Sequence, residues 1–290
     1  MRRDSRYPLL LKAEPGEVYQ QLTAKEAEWS YLNFIARTLE NGDSWSFDTQ
    51  DNECAVVLLG GVCSIHSSKG KWRQIGRRPN VFSGMPYALY LPRHTDFTIT
   101  AEGELDFACG WCPADQDLEP HLVQPQDVPI EIRGGGNATR QINGILPPGS
   151  PCQRLVVVEV YTPAGSWSSY PPHKHDKHRE GDGGKIVEAD LEEIYFYKID
   201  KPGGFAMQRV YTDDLSLNEV AIAENNNIVL VPKGYHPVAA APGYNVYYLN
   251  FLAGSAQSLA NIDDQTHTWL QDEWPEKDPR LPLVSMDMEE

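Results

Sequence analysis

Two imidazoles one residue apart, in His173-Lys174-His175, follow the stiff run Tyr170-Pro171-Pro172. On an extended strand, positions i and i+2 project to one face, so both rings can reach a common ion. Glu193 opens the apolar run EIYFYKI, shares its face with Tyr195 and Tyr197, and offers a carboxylate as third ligand. His236, just past the turn Pro232-Lys233-Gly234 that ends the run NIVLV, offers a fourth. Three imidazoles and one carboxylate suit one divalent ion per subunit, zinc first, with nickel, manganese or iron(II) as alternatives, and leave room for water or substrate.

The carboxylate has two rivals. Glu180 has a shorter spacing to the histidines but lies in HREGDGGK, a glycine-rich stretch that reads as loop, with no strand to hold a ligand rigidly. Glu192 projects to the opposite face of the strand from Glu193. The stretch from Asp176 to Lys185 therefore reads as a lid at the mouth of a pocket.

The elements that must position these groups are strands. Short β-branched and aromatic runs such as CAVVLL, FTITA, LVVVEVY, EIYFYKI and NVYYLNFLA recur between turn residues, and 22 prolines and 23 glycines serve those turns. This pattern indicates an all-β sandwich or barrel architecture. The one helical pattern lies between Thr23 and Leu39. Positions 140 apart also match without gaps: Glu53 with Glu193, Pro92 with Pro232, Ala101 with Ala241 and Gly103 with Gly243. This predicts two copies of one β-domain. His236 then falls opposite Asp96, and the first copy lacks the ligand set, so the shared framework does not require the histidines.

Composition narrows the partners. The 290 residues carry 25 Lys and Arg against 41 Asp and Glu, a formal charge of -16. Such a field repels nucleic acid and anionic membranes and points to small ligands. The start, MRRDSRYPLLLK, has an apolar stretch far too short for a leader or a membrane span, and the five cysteines form no disulfide framework, so a cytoplasmic setting is expected. Cys109-Gly-Trp-Cys112 spells CxxC inside the apolar run LDFACGWC, with no second pair to complete a zinc site, and reads as strand.

HxH, a later Glu heading an aromatic strand, and a Pro-x-Gly turn followed by His resemble the two motifs of the cupin superfamily. The runs WSSYPPHKHD, EEIYFYKI, VPKGYHPVAAAPGYNVYYLNFLAG and RGGGNATRQINGILP more closely resemble the 5-deoxyglucuronate isomerases of bacterial myo-inositol catabolism, relatives of the uronate ketol-isomerases of pectin breakdown. The long interval between His175 and Glu193 departs from the generic cupin spacing but agrees with the isomerase family.

The resemblance spans nearly the whole chain. It implies a two-cupin subunit of jelly-roll sandwiches: an arm with a short helix at 1–40, a copy without metal ligands at 41–125, a metal-binding copy at 126–255 and an acidic tail at 256–290. It also implies an aldose-ketose isomerisation of 5-deoxyglucuronate to 5-dehydro-2-deoxygluconate in an open metal site. Glu180 and His178 are the side-chain candidates for moving the proton, beside a metal-bound hydroxide. Lys174, Arg179 and Arg140 are the candidate cations for the substrate carboxylate, and Tyr197 and Tyr248 could bond sugar hydroxyls. A homo-oligomer binding a small anionic sugar acid is expected. Another uronate as substrate, an iron(II) dioxygenase and a non-catalytic sugar-binding cupin are the rival readings.

Overall fold

The computed structural model describes residues 8–286. Residues 1–7, part of the basic amino-terminal run, and residues 287–290 of the acidic tail lie outside the described residues. The chain is all-β. One large antiparallel sheet runs in the order His121–Val123, Ala88–Leu91, Asn52–Gly60, Leu105–Pro113, Asn33–Leu39, Val18–Leu22. The other runs Leu10–Leu11, Ile228–Val231, Ile186–Ile199, Val246–Gly254, Val156–Thr162, Arg140–Leu146, Ile130–Arg133. Two four-stranded sheets accompany them, one built on Ser44–Asp48, Asp96–Ala101, Cys63–Ser67 and Gly70–Ile75, the other on Trp167–Ser168, Val238–Ala240, Ala206–Tyr211 and Asn218–Ala223.

Strands in the middle of the large sheets bury both faces, which is why they read as continuous apolar runs rather than alternating ones. One face of each meets the other large sheet, where the Phe34 ring lies 5.6 Å from both Phe196 and Phe251. Gly110 permits this approach, because a Cβ there would fall 2.3 Å from the Phe251 ring. Behind each large sheet lies a separate core, containing Tyr195, Tyr197 and Tyr248 on one side and Cys54, Leu89 and Phe107 on the other.

Three sequence expectations change. The helix between Thr23 and Leu39 is absent. Thr23 and Glu26 close a single turn, with the Thr23 N–H donating to Glu26 Oε2 at 2.9 Å, and Asn33–Leu39 is a strand paired on both sides. Its Phe34 and Ala36 enter one core and its Ile35 and Leu39 another, so burial on two faces overrides local helical preference. The stretch from Asp176 to Lys185 is not a glycine loop either. Asp176–Glu180 is a strand that folds back on the start of Ile186–Ile199 as a hairpin.

The third change concerns the offset. Cys54 lies opposite Leu91 in one sheet, and Glu193 lies opposite Val231 in the other. Leu91 and Val231 occupy strands at the expected 140-residue offset, but by facing it is Glu192, not Glu193, that matches Glu53, since both reach toward the other large sheet.

All five cysteines are free and buried. Cys109 and Cys112, three apart on one strand, belong to different cores, which removes the CxxC pair as a bidentate site. The tail carries one short 3-10 turn, Thr268–Gln271, and continues along the surface until Val284 enters the core between the large sheets. Among the described residues, no helix is long and apolar enough to cross a membrane.

Candidate metal centre and substrate cavity

Glu193 sits on a strand flanked by hydrogen-bonded neighbours on both sides, so its backbone is fixed. Its carboxylate meets two imidazoles: Oε2 lies 2.9 Å from His175 Nε2 and 3.2 Å from His236 Nε2. The ligand atoms of these three buried residues all lie within 4.8 Å of one another. His173 adds its ring 4.9 Å from that of His236, centre to centre. The turn before His236 requires Gly234, whose φ is +89° and where a Cβ would meet the Tyr211 carbonyl oxygen at 2.4 Å. Its N–H donates to Asp176 Oδ1 at 2.7 Å, which ties this turn to the residue after His175.

Each histidine has its Nδ1 near a backbone carbonyl: Leu191 for His175 at 3.1 Å, Gly234 for His236 at 2.8 Å and Pro171 for His173 at 3.3 Å. Those partners assign the proton to Nδ1 and leave the Nε2 lone pairs of His175 and His236 to face the carboxylate. Lone pairs opposing a carboxylate oxygen call for a cation between them, and the buried His236 Nε2 has no hydrogen-bond partner. The residues therefore fit a metal ion, with the backbone carbonyls fixing the ring orientation from behind. Burial pushes the Glu193 carboxyl up, but His236 and His175 outweigh it and hold it at about 2. Burial also works to lower His236, and Glu193 overrides it in the upward direction. Burial and the adjacent His236 take His173 well below the ordinary imidazole value.

A cleft of about 520 Å³, counting its open mouth, lies against this cluster and is lined by Arg140, Ser169, His173, Glu193, Tyr195 and Tyr248, among others. The Ser169 hydroxyl lies 3.1 Å from the Tyr195 hydroxyl and 3.2 Å from that of Tyr248. Burial raises both phenols, so they remain protonated donors at neutral pH. Arg140 is buried and donates from Nη1 to the Tyr170 carbonyl at 2.8 Å. Burial lowers its guanidinium to about 10, which leaves it charged at neutral pH.

Several expected site residues lie elsewhere. His178 and Glu180 are on the hairpin, where His178 Nε2 meets Glu180 Oε1 at 3.3 Å and His178 Nδ1 meets Ser255 Oγ at 2.8 Å. Arg179 pairs with Glu188 at 3.0 Å, half-exposed. Alternation turns Lys174 away from its histidine neighbours, onto Asp213 and over the Tyr235 ring at 4.6 Å. Tyr197 is too deep: two residues beyond Tyr195 on the same face, it donates to Gln208 Oε1 at 2.8 Å. Tyr195 takes its place in the lining.

Arg133, Ser169, Asn250 and Asn261 also line the cleft and were missed. Asn250 had a signal, a lone amide inside the buried run YYLNFLA, where a polar group needs a reason. Arg133 had only its place before the glycine turn Gly134-Gly135-Gly136.

A family model described as the KduI/IolB family matches residues 9–270. The chain belongs to the KduI/IolB family. Among members similar to it, the 5-deoxy-glucuronate isomerase of Geobacillus thermodenitrificans (strain NG80-2) is 41% identical over 260 residues, covering 89% of this chain and 93% of that relative. That of Bacillus subtilis (strain 168) is 35% identical over 270 residues, 90% of this chain and 98% of the relative. An IolB-like protein from Salmonella typhimurium LT2, solved by crystallography, superposes with a TM-score of 0.88 at 38% identity, covering 91% of this chain and 100% of that one. The oxalate decarboxylase of Bacillus subtilis, with Mn(II) centres, superposes at a TM-score of 0.62 and 11% identity, over 90% of this chain and 80% of its own. At that identity the likeness concerns the fold alone.

Proposed function

We propose that this KduI/IolB member isomerises 5-deoxy-D-glucuronate to 5-dehydro-2-deoxy-D-gluconate, as a metal-dependent, cytoplasmic two-cupin enzyme of myo-inositol breakdown that works as a homo-oligomer. The observation that carries the reading is that identity to relatives named 5-deoxy-glucuronate isomerase runs along nearly their whole length. The shared strand order of the two large sheets supports the two-copy reading, and five unpaired thiols suit a reducing compartment.

His173, His175, Glu193 and His236 are the proposed ligands of one divalent ion, zinc first. When bound there, that ion supplies Lewis acidity toward the sugar's carbonyl and neighbouring hydroxyl. The chain's own groups do the rest. Tyr195 and Tyr248, held protonated by burial, donate to sugar oxygens, and Ser169 links their hydroxyls so that protons can be passed among them. Arg140 presents a fixed charge to the substrate carboxylate. Val158, Val160 and Leu252 give the cleft an apolar wall that limits competing water.

The test is incubation of the purified protein with 5-deoxy-D-glucuronate, followed by proton NMR with and without a chelator, with metal counted by mass spectrometry. Conversion that stops on chelation and returns with one divalent ion per subunit supports the full reading. Conversion by metal-free protein removes the metal. Failure with this substrate alongside conversion of a pectin-derived uronate transfers the assignment to that uronate.

A further inference from the structure

The strands Ile130–Arg133 and Arg140–Leu146 pair in a register that sets Arg133 directly opposite Arg140. Like charges directly opposite in an antiparallel ladder are destabilising. The juxtaposition is the more notable in a chain whose acids outnumber its bases by 41 to 25.

Only one of the two has a carboxylate. Arg133 donates twice to Glu131, at 2.8 and 2.7 Å, and its side chain is 45% exposed. Arg140 is 5% exposed, its hydrogen bonds run from Nη1 to the carbonyls of Ala138 and Tyr170, and among the described residues it has no carboxylate at ion-pair distance. Burying a cation without a partner is expensive. The backbone nevertheless makes room for it: Gly134 has a φ of +89°, and a Cβ there would press on Arg140 Nη1 at 3.1 Å and on the Ala138 carbonyl oxygen at 2.1 Å. Both arginines line the same cleft as His173 and Glu193.

We propose that the cross-strand pair Arg133–Arg140 is the seat of the substrate's carboxylate and thereby sets its direction in the cleft, with the carbonyl end toward His173 and Glu193. This rests on the uronate-isomerase reading and adds which residues read the acid group. An anion between the guanidiniums relieves their repulsion and gives Arg140 the direct carboxylate partner that Glu131, bound to Arg133, does not, and the planar fork suits a carboxylate's two oxygens. In the six-carbon substrate the carboxylate and the aldehyde stand at opposite ends, so fixing one end fixes which carbons face the imidazoles. A neutral aldose leaves the buried charge unpaired and is rejected.

The experiment uses the full-length, metal-loaded protein and its Arg133→Gln and Arg140→Lys variants. It measures KM and kcat with 5-deoxyglucuronate, calorimetric binding of D-glucuronate and of neutral D-glucose, metal content and thermal melting. Wild type is expected to bind D-glucuronate and not D-glucose. Arg133→Gln should raise KM by at least about tenfold with kcat within about threefold, weaken D-glucuronate binding in parallel, and keep its metal. Arg140→Lys, which keeps the charge and loses the fork, should do the same if its melt stays near wild type, and otherwise Arg133→Gln decides. Wild-type KM and D-glucuronate affinity in a folded Arg133→Gln overturn the proposal, as does equal binding of D-glucose by wild type. If wild type does not turn over 5-deoxyglucuronate yet Arg133→Gln loses D-glucuronate, the seat stands and the isomerase reading falls. If turnover is present and untouched by the substitution, the reverse holds.

Discussion

Glu192 and Glu193, neighbours on one strand, face opposite ways and do unrelated work. Glu193 meets His175 and His236 inside the cleft-bearing half, whereas Glu192 reaches the other large sheet and accepts the backbone N–H groups of Ser30, Tyr31 and Leu32 at 2.7, 2.9 and 2.9 Å. Glu53 repeats this arrangement in the opposite direction, accepting from Gln153, Arg154 and Leu155 at 2.7, 2.6 and 2.9 Å. Each carboxylate thus grips the chain just before a strand of the other sheet, Asn33–Leu39 in one case and Val156–Thr162 in the other.

Removing either grip should cost stability without touching the cleft. Glu192→Ala strands three donors and is expected to lower unfolding free energy by about 2–5 kcal/mol, with Glu53→Ala similar. Urea melts check the magnitude. Metal titration of the folded fraction should match wild type, and a loss within 0.5 kcal/mol, about the size of an ordinary surface change, would refute the grip.

The proposed ligand set makes a sharper forecast. Glu193→Gln and His236→Ala should each weaken divalent-ion binding by more than about a hundredfold, beyond the 10–100-fold typical of groups behind the ligands. Competition against a colorimetric chelator reads this directly, and wild-type affinity in either variant would dismantle the centre.

Acid should act on the metal-free protein through Glu193. Its folded carboxyl is held at about 2, below the ordinary value of 4.5, so the stability it contributes is complete above about 4.5 and is lost as pH falls toward 2. Thermal melts of metal-free wild type and Glu193→Gln across that window should differ in slope, wild type falling more steeply. Parallel slopes would place the carboxyl at an ordinary value.

Asp96, at the aligned position of His236, is the exposed first residue of the strand Asp96–Ala101, in the half that lacks the three-imidazole cluster. Asp96→Ala should leave turnover within about twofold of wild type, as surface changes usually do. A hundredfold loss would point to chemistry in that half.

Much of this was legible in the residues. The alternation that put Glu193 with its tyrosines and Glu192 on the far side holds in the sheet, because the period of a strand is fixed by its pleat. His173, His175 and His236 could be brought together on paper because a paired short segment and a glycine turn constrain where each ring goes. What was not legible depended on partners distant in sequence. Asn33–Leu39 became a strand through neighbours on both sides, and Asp176–Glu180 through pairing with a strand start beyond the glycines. At Glu53 the gapless offset points to Glu193, whereas the counterpart by facing is Glu192, because which sheet a carboxylate reaches depends on partners distant in sequence. Depth along a strand is equally silent in sequence, and it is depth that puts Tyr195 in the cleft lining and Tyr197 on Gln208.

The two-residue strand Leu10–Leu11 closes the free edge of Ile228–Val231, which in turn neighbours the strand carrying Glu193. During synthesis its partner emerges long after it does, a wait of roughly 10–40 s at ordinary translation rates. Until then Leu10–Leu11 has no strand to pair with, and the sheet that carries Glu193 can be finished only when both segments are available. Closing this edge therefore waits on synthesis of Ile228–Val231, and a bulky fusion ahead of Leu10 would compete with that docking step.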